Sequence, residues 1–466
     1  GIFSTIAKPW SMPLIMNSAR KVTSLTKDEI KPTLTAMTLP MLVGMLTLMT
    51  FNLVDTFFVS MLGTQQLAAI SFTFPVTFTL ISLAIGLSIG TSAVIAKALG
   101  ADNNREARTD GQIALGLSAF LAGILAFLGY AFTEPLFKAL GAQGEVLLFI
   151  HQYMDIWYLG AVLLVLPMVG NAILRAAGDT KTPSTIMACS GLVNAILDPI
   201  LIFGLGPIPA MGMQGAAIAT LLSWVFGSVL ILYLLIKRQL IATHWVGMSQ
   251  VLVISKKILR IGLPAAGANM LTPLAMAVLT AIMAAYGASA VAAFGVGARL
   301  ESIACLVVLA LSMTLPPFVS QNFGAGFLGR VKEAYRLCAR FVLVWQFIVY
   351  LMLALLALPV ARLFSDDTEV VTIISHFIWI VPLAYGLQGI TILTNSSFNA
   401  LHKPGSALIL SVIRLFAFYV PLAWLGGILF GVTGLFFGCV LANILTASLA
   451  WTWFNKTVTK LQEVTL

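Results

Sequence analysis

The chain has 466 residues, of which 59% are hydrophobic and only 9% charged, with a mean hydropathy of +1.00. Soluble domains carry about 25% charged residues, so this composition excludes a water-exposed surface for a chain of this length and makes lipid the solvent. The formal net charge is +9, but the basic residues sit singly or in small groups between apolar runs, which excludes the basic patch or stripe of a nucleic-acid binder.

In chain order, residues 1–32 read as an amino-terminal tail, with residues 1–15, ahead of Met16, as a cloning remnant outside the fold. Twelve apolar runs follow, each long enough to cross about 30 Å of hydrocarbon as a helix. They lie near 33–60, 66–97, 111–133, 146–175, 184–206, 210–237, 258–286, 289–321, 334–361, 369–399, 405–428 and 431–455. The predicted fold is an all-α polytopic membrane protein: an amino lobe at 33–237, a linker at 238–257, a carboxy lobe at 258–456 and a tail at 457–466. Cys189, Cys305, Cys338 and Cys439 stand singly with no C-x-x-C pair, so reduced thiols are expected, with no disulfide and no metal.

Basic residues concentrate in cytoplasmic segments of membrane proteins. Lys27, Lys31, Lys97, Arg105, Arg108, Lys181, Lys237, Arg238, Lys256, Lys257, Arg330, Lys332 and Lys403 all fall on one side of the predicted helices, against only Lys138 and Arg362 on the other. Both termini are therefore expected inside, in the plasma membrane of a bacterial cell.

The two halves repeat. A shift of 224 residues sets Leu39-Pro40 on Leu263-Pro264, Gly63 on Gly287 and Gly100 on Gly324, and a shift of 222 sets Lys181 on Lys403. Six helices per half is an even number, so the repeats are parallel, related by an axis along the membrane normal. That is an architecture of alternating-access transporters.

Asp55, Asp198, Glu301 and Asp155 fall within predicted spans. A charge there costs about 2.5–3.5 kcal/mol on insertion scales and marks an ion path or a paired partner. Asn194 lies one turn before Asp198 on the same face, so the pair can bind a cation or share a proton. Pro199 directly after Asp198 predicts a kink. Two carboxylates close together in low dielectric cannot easily both ionise, so one holds a proton near neutral pH. Tyr153 can donate its hydroxyl to the same cluster. Arg299 and Glu301 lie two apart, do not face each other, and read as gating or substrate contacts. The cluster is no firm metal site, although Asp55, Asn194 and Asp198 would also suit Na+.

His151, His244, His376 and His402 are scattered, and no D-x-D, H-E-x-x-H, G-x-S-x-G or G-x-x-x-x-G-K-[ST] string occurs. The chain therefore lacks the groups of a membrane-embedded enzyme or a nucleotide-driven pump. No catalytic residue and no cofactor are expected. An ion gradient remains as the energy source.

VDTFFVSMLGTQQLAAI around Asp55, LRAAGDTKTPSTIMACSGLVNAILDPILIFG through Asn194 and Asp198, and GMQGAAIATLLSW resemble the multidrug and toxic compound extrusion (MATE) transporters, in particular their DinF-like branch. The resemblance implies two six-helix lobes around a central cavity, and export of organic cations or amphipathic drugs against H+ or Na+. It also implies that Asp55, Asn194 and Asp198 form the amino-lobe cation site, with Tyr153 its neighbour. The seventh run, GLPAAGANMLTPLAMAVLTAIMAAYG, has no acid, unlike the sodium-coupled branch, which favours H+ over Na+. Substrate and bilayer are the expected partners of a monomer. The alternative is a lipid-linked oligosaccharide flippase of the same superfamily, whose cavity should be rich in arginine for phosphate. The core offers Arg299, with Arg175 and Arg414 expected near the inner ends.

Overall fold

The computed structural model describes residues 24–466; the expected remnant at 1–15 lies outside the described residues. Among the described residues the chain makes twelve spans. They are α1 (Ile30–Ser60), α2 (Thr64–Gly100), α3 (Asn104–Ala131), α4 (Glu145–Leu159 with Ala161–Ala176), α5 (Lys181–Phe203), α6 (Met213–Lys237), α7 (Met248–Ala284), α8 (Ala288–Ala304 with Leu306–Gly324), α9 (Leu328–Leu355), α10 (Thr368–Ile380 with Tyr385–Ala400), α11 (residues 404–430) and α12 (residues 431–465).

Several spans are interrupted for visible reasons. The two arms of α4 meet at Gly160 with a 50° bend. In α10 a 3₁₀ turn, Val381–Ala384, carries Pro382. The unbroken hydrophobic stretch Pro404–Thr465 is two spans, because Gly431 takes φ 76 and ψ −156. There the chain doubles back, and a Cβ on Gly426, Gly434 or Gly438 would strike the backbone of the facing arm. Small residues of this kind let helices approach closely where lipid gives no hydrophobic drive to pack them. Pro199 does not break α5, which runs through it to Phe203 and stops at Gly204 (φ 82).

Three ends differ from the sequence expectation. A short helix, Ser24–Lys27, precedes α1 within the expected tail. Its Leu25, with Ile30, Leu34 and Met37 of α1, packs into the carboxy-lobe core beside Val331 and Tyr335. α7 begins at Met248 rather than 258, since Ile254 and Ile258 pack on the amino lobe and Lys257 pairs with Glu106 and Asp110 at 3.1 Å each. Helix α12 continues to Thr465, because Phe454 and Val458 stay fully buried in the carboxy-lobe core.

An even number of spans puts α1's start and α12's end on one face, here the terminal face. The lobes meet in the half of the bundle nearest it. A Cβ on Gly86 or Gly90 of α2 would collide with the backbone of α7 at Gly262 or Ile258. Closest to the face, Gly100 abuts the carbonyl of Gln321 while Gly324 abuts that of Lys97. These two glycines are the pair superposed by the 224-residue repeat, and each touches the residue three before the other. The pseudo-twofold axis passes between them. The closure is completed by Gln321 Nε2 donating to Ala176 O (2.6 Å), His402 Nε2 against Ala93 O (3.0 Å), and Thr38 Oγ1 with Thr314 Oγ1 (2.9 Å). Asn269 Nδ2 on α7 still donates to Ser82 Oγ on α2 (3.2 Å), and beyond that level, toward the opposite face, Phe74 and Thr77 of α2 and Thr272 of α7 line a cavity.

Candidate functional site

The cavity between the lobes has a volume of about 910 Å³ and is lined by both. Its amino-lobe wall is set by how α1 lies on α5. Gly44 accepts the backbone of Ser184, and Gly191 accepts the ring of Phe51. These two contacts share one residue offset along parallel helices, and carried forward a turn it sets Asp55 level with the stretch between Asn194 and Asp198. Asp55 and Asn194 line the cavity, and Asp198 is buried behind them at 0% exposure.

The two carboxyl groups lie within electrostatic reach of each other. Asp55 Oδ1, Asn194 Oδ1 and both carboxyl oxygens of Asp198 are buried with no hydrogen-bond donor among the described residues. Buried acceptors without donors cost about 1–3 kcal/mol each, so this cluster is built to take a cation or a proton. Tyr153, from the first arm of α4, also lines the cavity, with Thr220 of α6 at its hydroxyl and both carboxylates within electrostatic reach. The structure thus brings together the four residues singled out from the sequence. Among the described residues no three His, Cys, Asp or Glu side chains converge, so a metal ion here would have to lean on the amide and phenol oxygens.

Asp155 stands apart: its side chain is 44% exposed and faces His151 at 3.5 Å, one turn earlier on the same helix. Arg299 and Glu301 also part company. Arg299 is exposed, whereas Glu301 accepts a hydrogen bond from Gln388 Nε2 and has Arg414 within electrostatic reach. The hydrogen-bond partner of this carboxy-lobe acid is therefore Gln388, with Arg414 the charge within reach.

Arg175 lies in the last turn of α4, at the inner end where it was expected, and also lines the cavity. Arg414, expected near an inner end as well, lies in a π-helical turn, Ile413–Tyr419, inside α11 and lines the cavity too. The cost of a charge inside an apolar run, which identified Asp55, applied equally to Arg414 in SALILSVIRLFAFYV. The flat rings on the wall, Phe51, Phe74, Trp157 and Trp224, carried no signal beyond ordinary membrane packing.

The sequence pattern of the MatE family matches residues 40–200 and 264–425, once in each lobe. The chain is 46% identical over 410 residues to a protein of Shewanella oneidensis named FAD transporter, covering 88% of this chain and 91% of that one. It is 27% identical over 370 residues to the probable multidrug resistance protein YoeA of Bacillus subtilis, covering 78% and 79%. Among solved structures, the Vibrio cholerae MATE transporter VcmN in its bent form superposes with a TM-score of 0.88 at 35% identity, covering 95% of this chain and 98% of that one.

Proposed function

This chain belongs to the MatE family of multi-pass membrane transporters and is not an enzyme, and we propose that it exports flavin dinucleotide by alternating access, against inward movement of protons. The observation that carries the substrate is the mixed wall of the cavity. Two guanidinium groups, Arg175 and Arg414, stand among broad aromatic faces, a match for a diphosphate bearing flat rings. The name of the Shewanella relative points the same way. The rocking units are residues 33–237 and 258–456. The positive-inside bias puts the terminal face in the cytoplasm of a bacterial cell, so the closed terminal face makes this the outward-open state.

Coupling sits on Asp55 and Asp198, assisted by Asn194 and Tyr153, because their oxygens lack donors while Glu301 has Gln388 and Arg414. Sodium is the weaker candidate, since α7 contributes no acid. The sign of the charge constrains the mechanism. Protonating this pair makes the wall less negative, which would release a bound organic cation but hold an anion more tightly. For a dinucleotide, coupling therefore runs through the packing of the lobe rather than through competition for one charge.

A second reading, export of organic cations, is favoured by Asp55 on the same wall and by the multidrug relative. Proteoliposomes loaded in turn with FAD, riboflavin and a fluorescent organic cation separate the two. Under an imposed pH gradient, FAD movement exceeding that of the cation supports the dinucleotide reading; movement of the cation alone overturns it.

A further inference from the structure

The two cavity arginines are not in equivalent states. Arg414 has Glu301 within electrostatic reach, although its Nε is buried without a hydrogen-bond partner among the described residues. Arg175 makes no hydrogen bond and no ion pair among the described residues, and no charged side chain lies near enough to influence it. An arginine within the span of the bilayer is normally paired, and one facing a cavity without a partner is the natural seat of an anion.

Its surroundings add donors. Asn171 lies one turn earlier on the same face of α4, and Asn399 stands on the last turn of α10, at the repeat position that answers Arg175. Both line the cavity and are 6% and 7% exposed, and among the described residues neither side-chain amide makes a hydrogen bond, the Oδ1 of each being buried without a donor. All three lie beside the closure of the terminal face: Ala176, next to Arg175, receives Gln321 Nε2 at its carbonyl, and Ala400, next to Asn399, receives the hydroxyl of the adjacent Ser320.

Resting on the flavin reading for the identity of the whole substrate, we propose that Arg175, Asn171 and Asn399 form a phosphate subsite at the closed end of the cavity, spanning both lobes, and that this subsite distinguishes phosphorylated from unphosphorylated ligands. Arg175 supplies the charge and the two amides supply N–H donors from opposite sides. The ring systems of a dinucleotide then extend toward the open face.

The test is equilibrium binding to the purified full-length protein in detergent, read by quenching of its tryptophan fluorescence, with inorganic pyrophosphate, riboflavin and FAD as probes. In wild type, pyrophosphate binds. Arg175→Gln weakens it by about tenfold or more, the scale of one charge-assisted contact; Arg175→Lys recovers part of the loss; Asn399→Ala weakens it about threefold. Thermal melting confirms that the variants fold. The proposal is overturned if pyrophosphate does not bind wild type, or binds Arg175→Gln equally well. It is also overturned, should Arg175→Gln fail to fold, if Asn399→Ala and Arg175→Lys bind as wild type does. Should pyrophosphate bind through Arg175 while FAD binds no more tightly than pyrophosphate alone, the flavin reading falls and the subsite stands.

Discussion

The two walls of the cavity come from one duplicated unit and have diverged in chemistry. In the amino lobe, two acids sit together with an amide and a phenol, and four of their oxygens lack donors. In the carboxy lobe, the intramembrane acid Glu301, which lies off the cavity wall, has an amide donor and an arginine within electrostatic reach. A group whose charge is answered within its own lobe has little to gain from an external ion. A cluster of unanswered acceptors gains a great deal. The duplication supplies the frame, and the unanswered acceptors lie on one side of it.

The comparison breaks most severely if the amino-lobe cluster is neutralised. Asp55→Asn is expected to lower ion-driven transport in proteoliposomes by about 100-fold or more, and Asp198→Asn nearly as much, the scale of a buried charged contact, with melting temperature largely kept. Full transport by either variant would remove the asymmetry between the lobes. Next in size is the shared closure. Gly324→Leu should strain the contact with Lys97, with overpacking of about 1–3 kcal/mol, and shift the population toward a state open at the terminal face. Labelling of a cysteine at Ser92 from that side should rise, and unchanged labelling would show that the glycine pair does not govern closure.

Glu301→Gln should be milder, about two- to fivefold in transport, because Gln388 and Arg414 can re-pair locally. A complete loss would move the coupling to the carboxy lobe. The smallest effect concerns His402, in the turn between α10 and α11. Burial lowers it from 6.5 to about 4, although the hydrogen bond to Ala93 O opposes this; Lys97 and Lys257 add to the lowering. The closed face therefore holds His402 neutral. Its contribution is fully present above about pH 6.5, the value of an exposed histidine, and is lost as pH falls toward 4. Acidification should loosen the closure, and His402→Gln should flatten that dependence in the same labelling assay.

Much of this fold is written in the sequence because lipid leaves few alternatives. Runs of the right length must be helices, and the rarity of charge makes each intramembrane acid conspicuous, which is how Asp55 and Asp198 stand out. The spacing of Asn194 and Asp198 was enough to put both on one face. Less legible were features that depend on packing between distant segments. Nothing in the composition shows that Leu25 and Met37 belong to the carboxy-lobe core, or that Ile254 and Ile258 belong to the amino-lobe one. Gly100 and Gly324 could be aligned from the repeat, but not seen to touch. Arg175 and Arg414 were visible as residues, yet whether each had an acid beside it required the arrangement of four helices. Arg299 and Glu301, two apart on one helix, are expected to face different ways, and they do, with Arg299 exposed and Glu301 turned to Gln388.

The central claim is that protons cross by way of Asp55 and Asp198 as substrate crosses the other way. It is met most directly by trapping a pH-sensitive dye in proteoliposomes, adding FAD outside without sodium, and following lumenal pH. Entry of FAD should drive protons out and make the lumen more alkaline in wild type, with no change in Asp55→Asn or Asp198→Asn. Entry of FAD with no change in lumenal pH, or a change that persists in both variants, would contradict it.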